Sequence, residues 1–130
     1  PTMRITEIAF TGYPVTDMAR ARAFYEGPLG LTVSRTWGEN DNPNWVEYDI
    51  GSGCLAIVTG ANADWPPANG GPAAAFEVDD FQGYIQRLRD AGTKFLWEPQ
   101  ETPVCWMAVV LDPDENRVVI HHRKPSAATS

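Results

Sequence analysis

Residues 10–31, FTGYPVTDMARARAFYEGPLGL, decide the fold. Gly12 and Pro14 end a strand that arrives from the N-terminal side. Asp17 is placed to cap a helix, because its carboxylate accepts hydrogen bonds from the unpaired N–H groups of the first turn. Met18, Ala21, Tyr25 and Pro28 then fall at i, i+3, i+7 and i+10, close to one helical stripe. Gly27, Pro28 and Gly30 stop that helix. Before the stretch, MRITEIAF (3–10) alternates and predicts the incoming strand. After it, LTVSRTW (31–37) predicts a second strand, and GENDNPN (38–44) a polar turn. WVEYDI (45–50) and CLAIVT (54–59) read as a hairpin around Gly51-Ser52-Gly53.

Residues 60–72, GANADWPPANGGP, carry no hydrophobic period and read as a linker. The order then repeats. Ala73 to Val78 is a strand, and Asp79-Asp80 offers a second cap. Phe81, Ile85 and Leu88 make a helical stripe that Ala91-Gly92 stops. Thr93 to Trp97 reads as a strand and Glu98 to Pro103 as a loop. Val104 to Leu111 and Arg117 to His122 form a strand pair around Asp112-Pro113-Asp114-Glu115-Asn116. In this reading Asp80 answers Asp17, Val78 answers Val15 and Trp106 answers Trp45. Module one is therefore 3–59, the linker 60–72, module two 73–123, and a small polar tail 124–130, within one domain.

A chain of 130 residues buries about two thirds of its unfolded surface, enough for a core without staples. Cys54 and Cys105 lie in apolar runs and read as reduced, buried thiols of a cytoplasmic protein. No leader stands out, and no apolar run nears the ~18 residues of a membrane span. The net charge of −7 argues against nucleic acid, whose phosphates need a basic face. It is compatible with a neutral or cationic small molecule, and equally with plain solubility.

Val15, Asp17, Ala21, Phe24, Tyr25, Leu29, Gly30 and Leu31 resemble the opening motif of the vicinal oxygen chelate superfamily, with "AFEVDD" (75–80) and "DPDENR" (112–117) as later matches. That superfamily includes glyoxalase I, extradiol dioxygenases and the bleomycin resistance proteins. The resemblance implies an α+β fold: two βαβββ modules form a curved mixed sheet with a concave cavity, and helices lie on the outer side. It also implies a homodimer. In metal-dependent relatives, four strands supply His or Gln, Glu, His and Glu to a divalent metal, which leaves positions open for substrate oxygens. Counting seven residues back from Asp17 and Asp80, and three on from Asn116, puts Phe10, Ala73 and Val119 at three of those positions. Module alignment puts Ala56 at the fourth. None can ligate a metal, so the usual metal cofactor is expected to be absent.

Strand alternation adds Glu77 and His121 to the cavity side, together with Trp45 and Glu47, and by the same alignment Trp106. The expected ligand-binding set is thus Phe10, Trp45, Glu47, Ala56, Ala73, Glu77, Trp106, Val119 and His121. Each also has a plain structural reading. Strand carboxylates are usually solvated or ion-paired, adjacent histidines point to opposite faces, and tryptophans pack cores and interfaces. Glu77 and His121 are the acid–base candidates if they meet across the cavity. No nucleophile constellation, phosphate loop or dinucleotide fingerprint is present. Three functions fit. A metal-independent protein could bind an aromatic or cationic small molecule. A lyase, isomerase or dioxygenase could use Glu77 and His121 as acid–base groups or atypical ligands. A dimer could fill its cavity with its own side chains.

Overall fold

The structure is a computed structural model that describes residues 3–60, 65–67 and 70–125. Among the described residues ten elements follow one another: β1 (Thr11–Pro14), α1 (Met18–Glu26), β2 (Arg35–Glu39), β3 (Asn42–Ile50), β4 (Gly53–Val58), β5 (Ala74–Glu77), α2 (Phe81–Asp90), β6 (Phe95–Glu101), β7 (Cys105–Leu111) and β8 (Arg117–Arg123). They build two four-stranded mixed sheets, ordered β1-β4-β3-β2 and β5-β8-β7-β6, and neither closes into a barrel. In each sheet the first strand runs parallel to the last, and the other pairs are antiparallel. The predicted two-module α+β fold is therefore present, built as two sheets. No helix among the described residues is long and apolar enough to cross a membrane.

Both predicted caps form. The Asp17 carboxylate accepts from the Arg20 N–H at 3.1 Å, and that of Asp80 from the Gly83 N–H at 2.9 Å. Gly92, at φ 74°, takes the left-handed conformation just past α2, which a residue with a Cβ rarely adopts. Met18, Ala21, Phe24 and Tyr25 of α1 and Phe81, Ile85 and Leu88 of α2 are buried in one core with Val46, Tyr48, Leu55 and Ile57 of the first sheet and Ala108, Val110, Val118 and Ile120 of the second.

Four sequence boundaries are corrected. Met3 to Phe10 is not a strand; Met3, Ile5 and Ile8 are 96, 94 and 80% exposed. The parallel register with β4 starts at Thr11↔Leu55, and β4 itself starts at Gly53, so the preceding segment finds no strand beside it. β2 begins four residues later than expected. The polar turn shrinks to Asn40-Asp41, because β2 and β3 keep pairing to Glu39↔Asn42 past a bulge at Trp37/Gly38. β6 runs on through Pro99, which an outer strand with irregular register tolerates. Just beyond β8, the Lys124 N–H reaches the Val104 carbonyl at 2.9 Å. Residues 61–64 and 68–69 of the linker, and 126–130 of the tail, lie outside the described residues.

The β7–β8 turn holds the modules together. Asp112, 3% exposed, accepts from four donors. Its Oδ1 takes the Asp114 and Asn116 N–H groups, and its Oδ2 takes Asn116 Nδ2 and the Tyr25 hydroxyl, all at 2.8–2.9 Å. Asn116 Nδ2 also donates to the Pro14 carbonyl at 2.8 Å. Asp114 receives Thr16 and Arg20. Tyr13 completes the seam: its hydroxyl donates to the Arg117 carbonyl at 2.5 Å and accepts from the Ala74 N–H at 2.7 Å. Burial raises the Tyr13 phenol to about 12, opposed by the bond from Ala74 and assisted by the Asp112 charge.

Tyr25→Phe removes a buried donor to a charged acceptor. It is expected to lower the unfolding free energy by roughly 1–3 kcal/mol, measured by urea denaturation with an unchanged m value. Stability equal to that of the parent would show that this bond does not brace the seam.

Candidate functional site

Register assigns each strand residue to a face. In the first sheet Val46↔Ile57 and Tyr48↔Leu55 face the helices, so Trp45↔Val58, Glu47↔Ala56 and Asp49↔Cys54 face away from them. Arg35↔Glu47 and Trp37↔Trp45 extend that face onto β2, and Gly12↔Ala56 extends it onto β1. In the second sheet Val109↔Val119, Met107↔His121, Ala75↔Val119 and Glu77↔His121 occupy the same side.

Most of the expected residues are on this helix-free face. Phe10 sets its ring edge against Trp45, with centroids 5.3 Å apart and planes at 80°. Trp45 Nε1 donates to Glu47 Oε2 at 2.9 Å, and Arg35 Nε donates to Glu47 Oε1 at 2.8 Å. Arg35 also clamps Asp49. The indole N–H of Trp45 holds the Glu47 carboxyl below the usual range against the cost of burial, and Arg35 assists. Glu47 is thus an anion whose charge is shared with one guanidinium, while Asp49 leaves the trio net negative. Trp37, Asn44, Trp45 and Glu47 line an open recess of about 370 Å³. Ala56 is buried, between Gly12 on β1 and Glu47 on β3. Ala73 lies just before β5, beside a second recess of about 360 Å³ that Gly12, Pro14 and Trp65 also line.

Glu77 and His121 do meet, as neighbours on β5 and β8 rather than across a cavity. His121 Nδ1 is 2.6 Å from Glu77 Oε1, and the Arg123 N–H donates to Glu77 Oε2 at 2.7 Å. Burial raises the Glu77 carboxyl, but the Arg123 N–H and His121 outweigh it and leave it lowered. Val119 stands between Ala75 and Val109 with no polar atom in its side chain.

Trp106 is the exception. It pairs with His122, next to the buried Ala108↔Ile120 pair, and so faces the helices. There it stacks on His122 at 5.8 Å, with Lys124 Nζ 4.9 Å from its ring centre. The register shows why the alignment failed. Trp45 lies opposite Val58, two residues past Ala56, and the counterpart two past Val119 is His121, whose partner is Met107. Met107 therefore answers Trp45, and Trp106 is one residue off, which turns it to the other side.

The set expected from the sequence leaves out Trp37, Arg35, Gly12 and Trp65. Alternation through β2 carries Trp37 and Arg35, once that strand is shifted to its true position. Nothing in the sequence places Trp65 over Gly12.

The divalent metal implied by the resemblance does not fit these residues. Phe10, Ala56, Ala73 and Val119 carry no donor atom, and neither do Gly12 and Ala75, which lie beside Ala56 and Val119. Two residues along, module two offers Glu77 and His121, but module one offers Pro14 and Val58. Among the described residues, no three His, Cys, Asp or Glu side chains come together to hold a metal ion. A larger recess, about 440 Å³, lies on the helix side beside Arg20, Phe24, Lys94 and Glu115. Both its cations already pair with carboxylates, Arg20 with Asp114 and Lys94 with Glu115.

No curated protein matches the chain. Among solved structures, the crystal structure of TnmS3, an antibiotic binding protein from Streptomyces sp. CB03234, is similar at 21% identity and TM-score 0.75, over 95% of this chain and all of that one. A putative glyoxalase family protein from Bacillus anthracis has the same identity, coverage and TM-score. Lactoylglutathione lyase from Agrobacterium tumefaciens matches at 20% identity and TM-score 0.70, over 92% of this chain and 95% of that one. At these identities the likeness establishes the fold. The family is established by a model that matches residues 7–120, nearly the whole of both modules: the chain belongs to the Glyoxalase/Bleomycin resistance protein/Dioxygenase superfamily.

Proposed function

We propose that this protein binds a planar, aromatic or cationic small molecule on the helix-free face of its first module, without a metal. The observation that carries this reading is the Phe10–Trp45–Glu47–Arg35 chain, in which each side chain fixes the next. It presents two indoles, Trp45 and Trp37, beside a recess large enough for a drug-sized ring system. The indole faces attract cations, and the net charge of −7 favours their approach. The donor-free strand positions support a ligand held by stacking and apolar burial. The antibiotic-binding neighbour is consistent with this reading.

A second reading rests on the Glu77–His121 pair. Glu77 holds one imidazole nitrogen and is itself fixed by the Arg123 N–H, the arrangement by which a carboxylate orients a general base. Under this reading His121 would move a proton on a ligand bound to the same face. We also propose that the protein is a homodimer in which Met3, Ile5 and Ile8 are covered by a second copy.

Ethidium, a planar cation, is expected to bind, and Trp45→Ala to weaken it about tenfold, the scale of one lost aromatic partner. Anilinonaphthalene sulfonate, an aromatic anion, is expected to bind more weakly than ethidium. Equal affinity of parent and Trp45→Ala for ethidium would refute the assignment.

The lowered Glu77 carboxyl has a signed consequence. Its contribution to stability is fully present above the ordinary glutamate value of about 4.3 and is lost as pH falls through its lower folded value. Glu77→Gln should therefore melt below the parent at pH 7, and the gap should narrow toward pH 3. A gap independent of pH would contradict this.

Replacing both Ile5 and Ile8 with Asp should convert a dimer to a monomer in sedimentation equilibrium. A parent that is monomeric would contradict the homodimer.

A further inference from the structure

Gly12 stands on the helix-free face, in register beside Ala56. A methyl group built on it would lie 2.6 Å from Cη2 and 3.1 Å from Cζ2 of Trp65, and 3.5 Å from Cε2 of Phe10. The six-membered ring of Trp65 thus rests on bare backbone, and the Phe10 ring converges on the same point. Phe10 in turn sets its edge against Trp45. Trp65 and Phe10 thus converge on the Gly12 backbone, and Phe10 carries the aromatic surface on to Trp45 of β3. Trp65 is 37% exposed, so one side of the indole meets its neighbours while another remains open to a ligand. The 360 Å³ recess beside it is walled by the apolar rings of Trp65, Pro14, Pro66 and Pro72, with Thr11, Tyr13 and Asn116 along its polar edge.

Two features make this arrangement more than surface packing. Gly12 does not need to be glycine for its backbone, since it sits within β1 and has no positive φ. The absence of a side chain there is explained by the space that the indole occupies. Moreover, β1 is an edge strand, and its one strand neighbour at this position, Ala56, projects no polar group.

We propose that Trp65 is a specificity-determining residue of the binding face, with Gly12 the positioning residue that lets its ring seat beside Phe10 and select flat aromatic ligands. This rests on the proposed binding function and extends the site from β3 to the segment between the modules. The physical basis is stacking: a flat ring gains dispersion and quadrupole contact with each aromatic face that it covers. An indole seated in advance loses little conformational freedom when the ligand arrives.

The test is a double-mutant cycle read by ethidium anisotropy, with melting temperature as a check on folding. Trp65→Ala and Gly12→Ala are each expected to weaken ethidium roughly five- to tenfold, with melting temperatures close to the parent's. The Gly12→Ala/Trp65→Ala double variant should bind like Trp65→Ala alone, because the added methyl then meets no indole. Trp65→Phe should recover most of the affinity. Two outcomes overturn the proposal: Trp65→Ala binds as the parent does while Trp45→Ala does not, which leaves the binding function standing, or the two losses multiply in the double variant. A parent that does not bind ethidium overturns the proposal together with the function it rests on.

Discussion

The carboxylate of Asp112 is the constraint on which the arrangement of the two modules depends. A buried anion is costly unless every oxygen lone pair in reach finds a donor. Here two backbone N–H groups, the Asn116 amide and the Tyr25 hydroxyl supply them. Desolvation still raises the carboxyl above its ordinary range, with Asn116 and Tyr25 opposing it. Because Tyr25 belongs to α1 and Asp112 to the β7–β8 turn, satisfying one buried charge fixes the first module against the second. Asn116 then ties the same turn to the Pro14 carbonyl at the end of β1. This orients β1, and with it Gly12 and the aromatic rings that converge there.

The helix-free face shows the complementary economy. Polar side chains on it are held to one another: Trp45 to Glu47, Glu47 to Arg35, Arg35 to Asp49, and Glu77 to His121 and the Arg123 N–H. Exposed on it are Phe10 and Trp37 beside the paired Arg35 and Asp49 on the first module, and on the second Glu77, whose partner His121 is mostly covered. The proposed function asks of such a face shape and π-surface rather than metal ligands. The two modules, alike in topology, have thus diverged in chemistry at matching positions, with Trp45 on one and Met107 on the other.

Much of the fold was legible because its determinants are local. Asp17 and Asp80 mark helix starts by their own chemistry, and the 3.6-residue stripes of both helices survive in the core. Strand ends were less legible, because they depend on where a partner runs out, as β4 does at Gly53 for Met3 to Phe10. Within one strand pair, alternation is enough to put Trp45, Glu47, Glu77 and His121 on the helix-free face. The transfer from Trp45 to Trp106 failed because the two tryptophans are not equivalent in register, and period-two alternation converts a one-residue error into the opposite face. Trp65 was illegible for another reason: its place over Gly12 is a tertiary contact across more than fifty residues with no periodic signature.

The most direct test of the central claim is a crystal structure of the protein grown with ethidium in the presence of a chelator. The account predicts the planar cation stacked on Trp45 within reach of Trp37 and Phe10, with Glu47 still bound to the indole N–H and to Arg35. Ethidium seated instead in the helix-side recess between Arg20 and Lys94, or bound only when a divalent metal replaces the chelator, would contradict it.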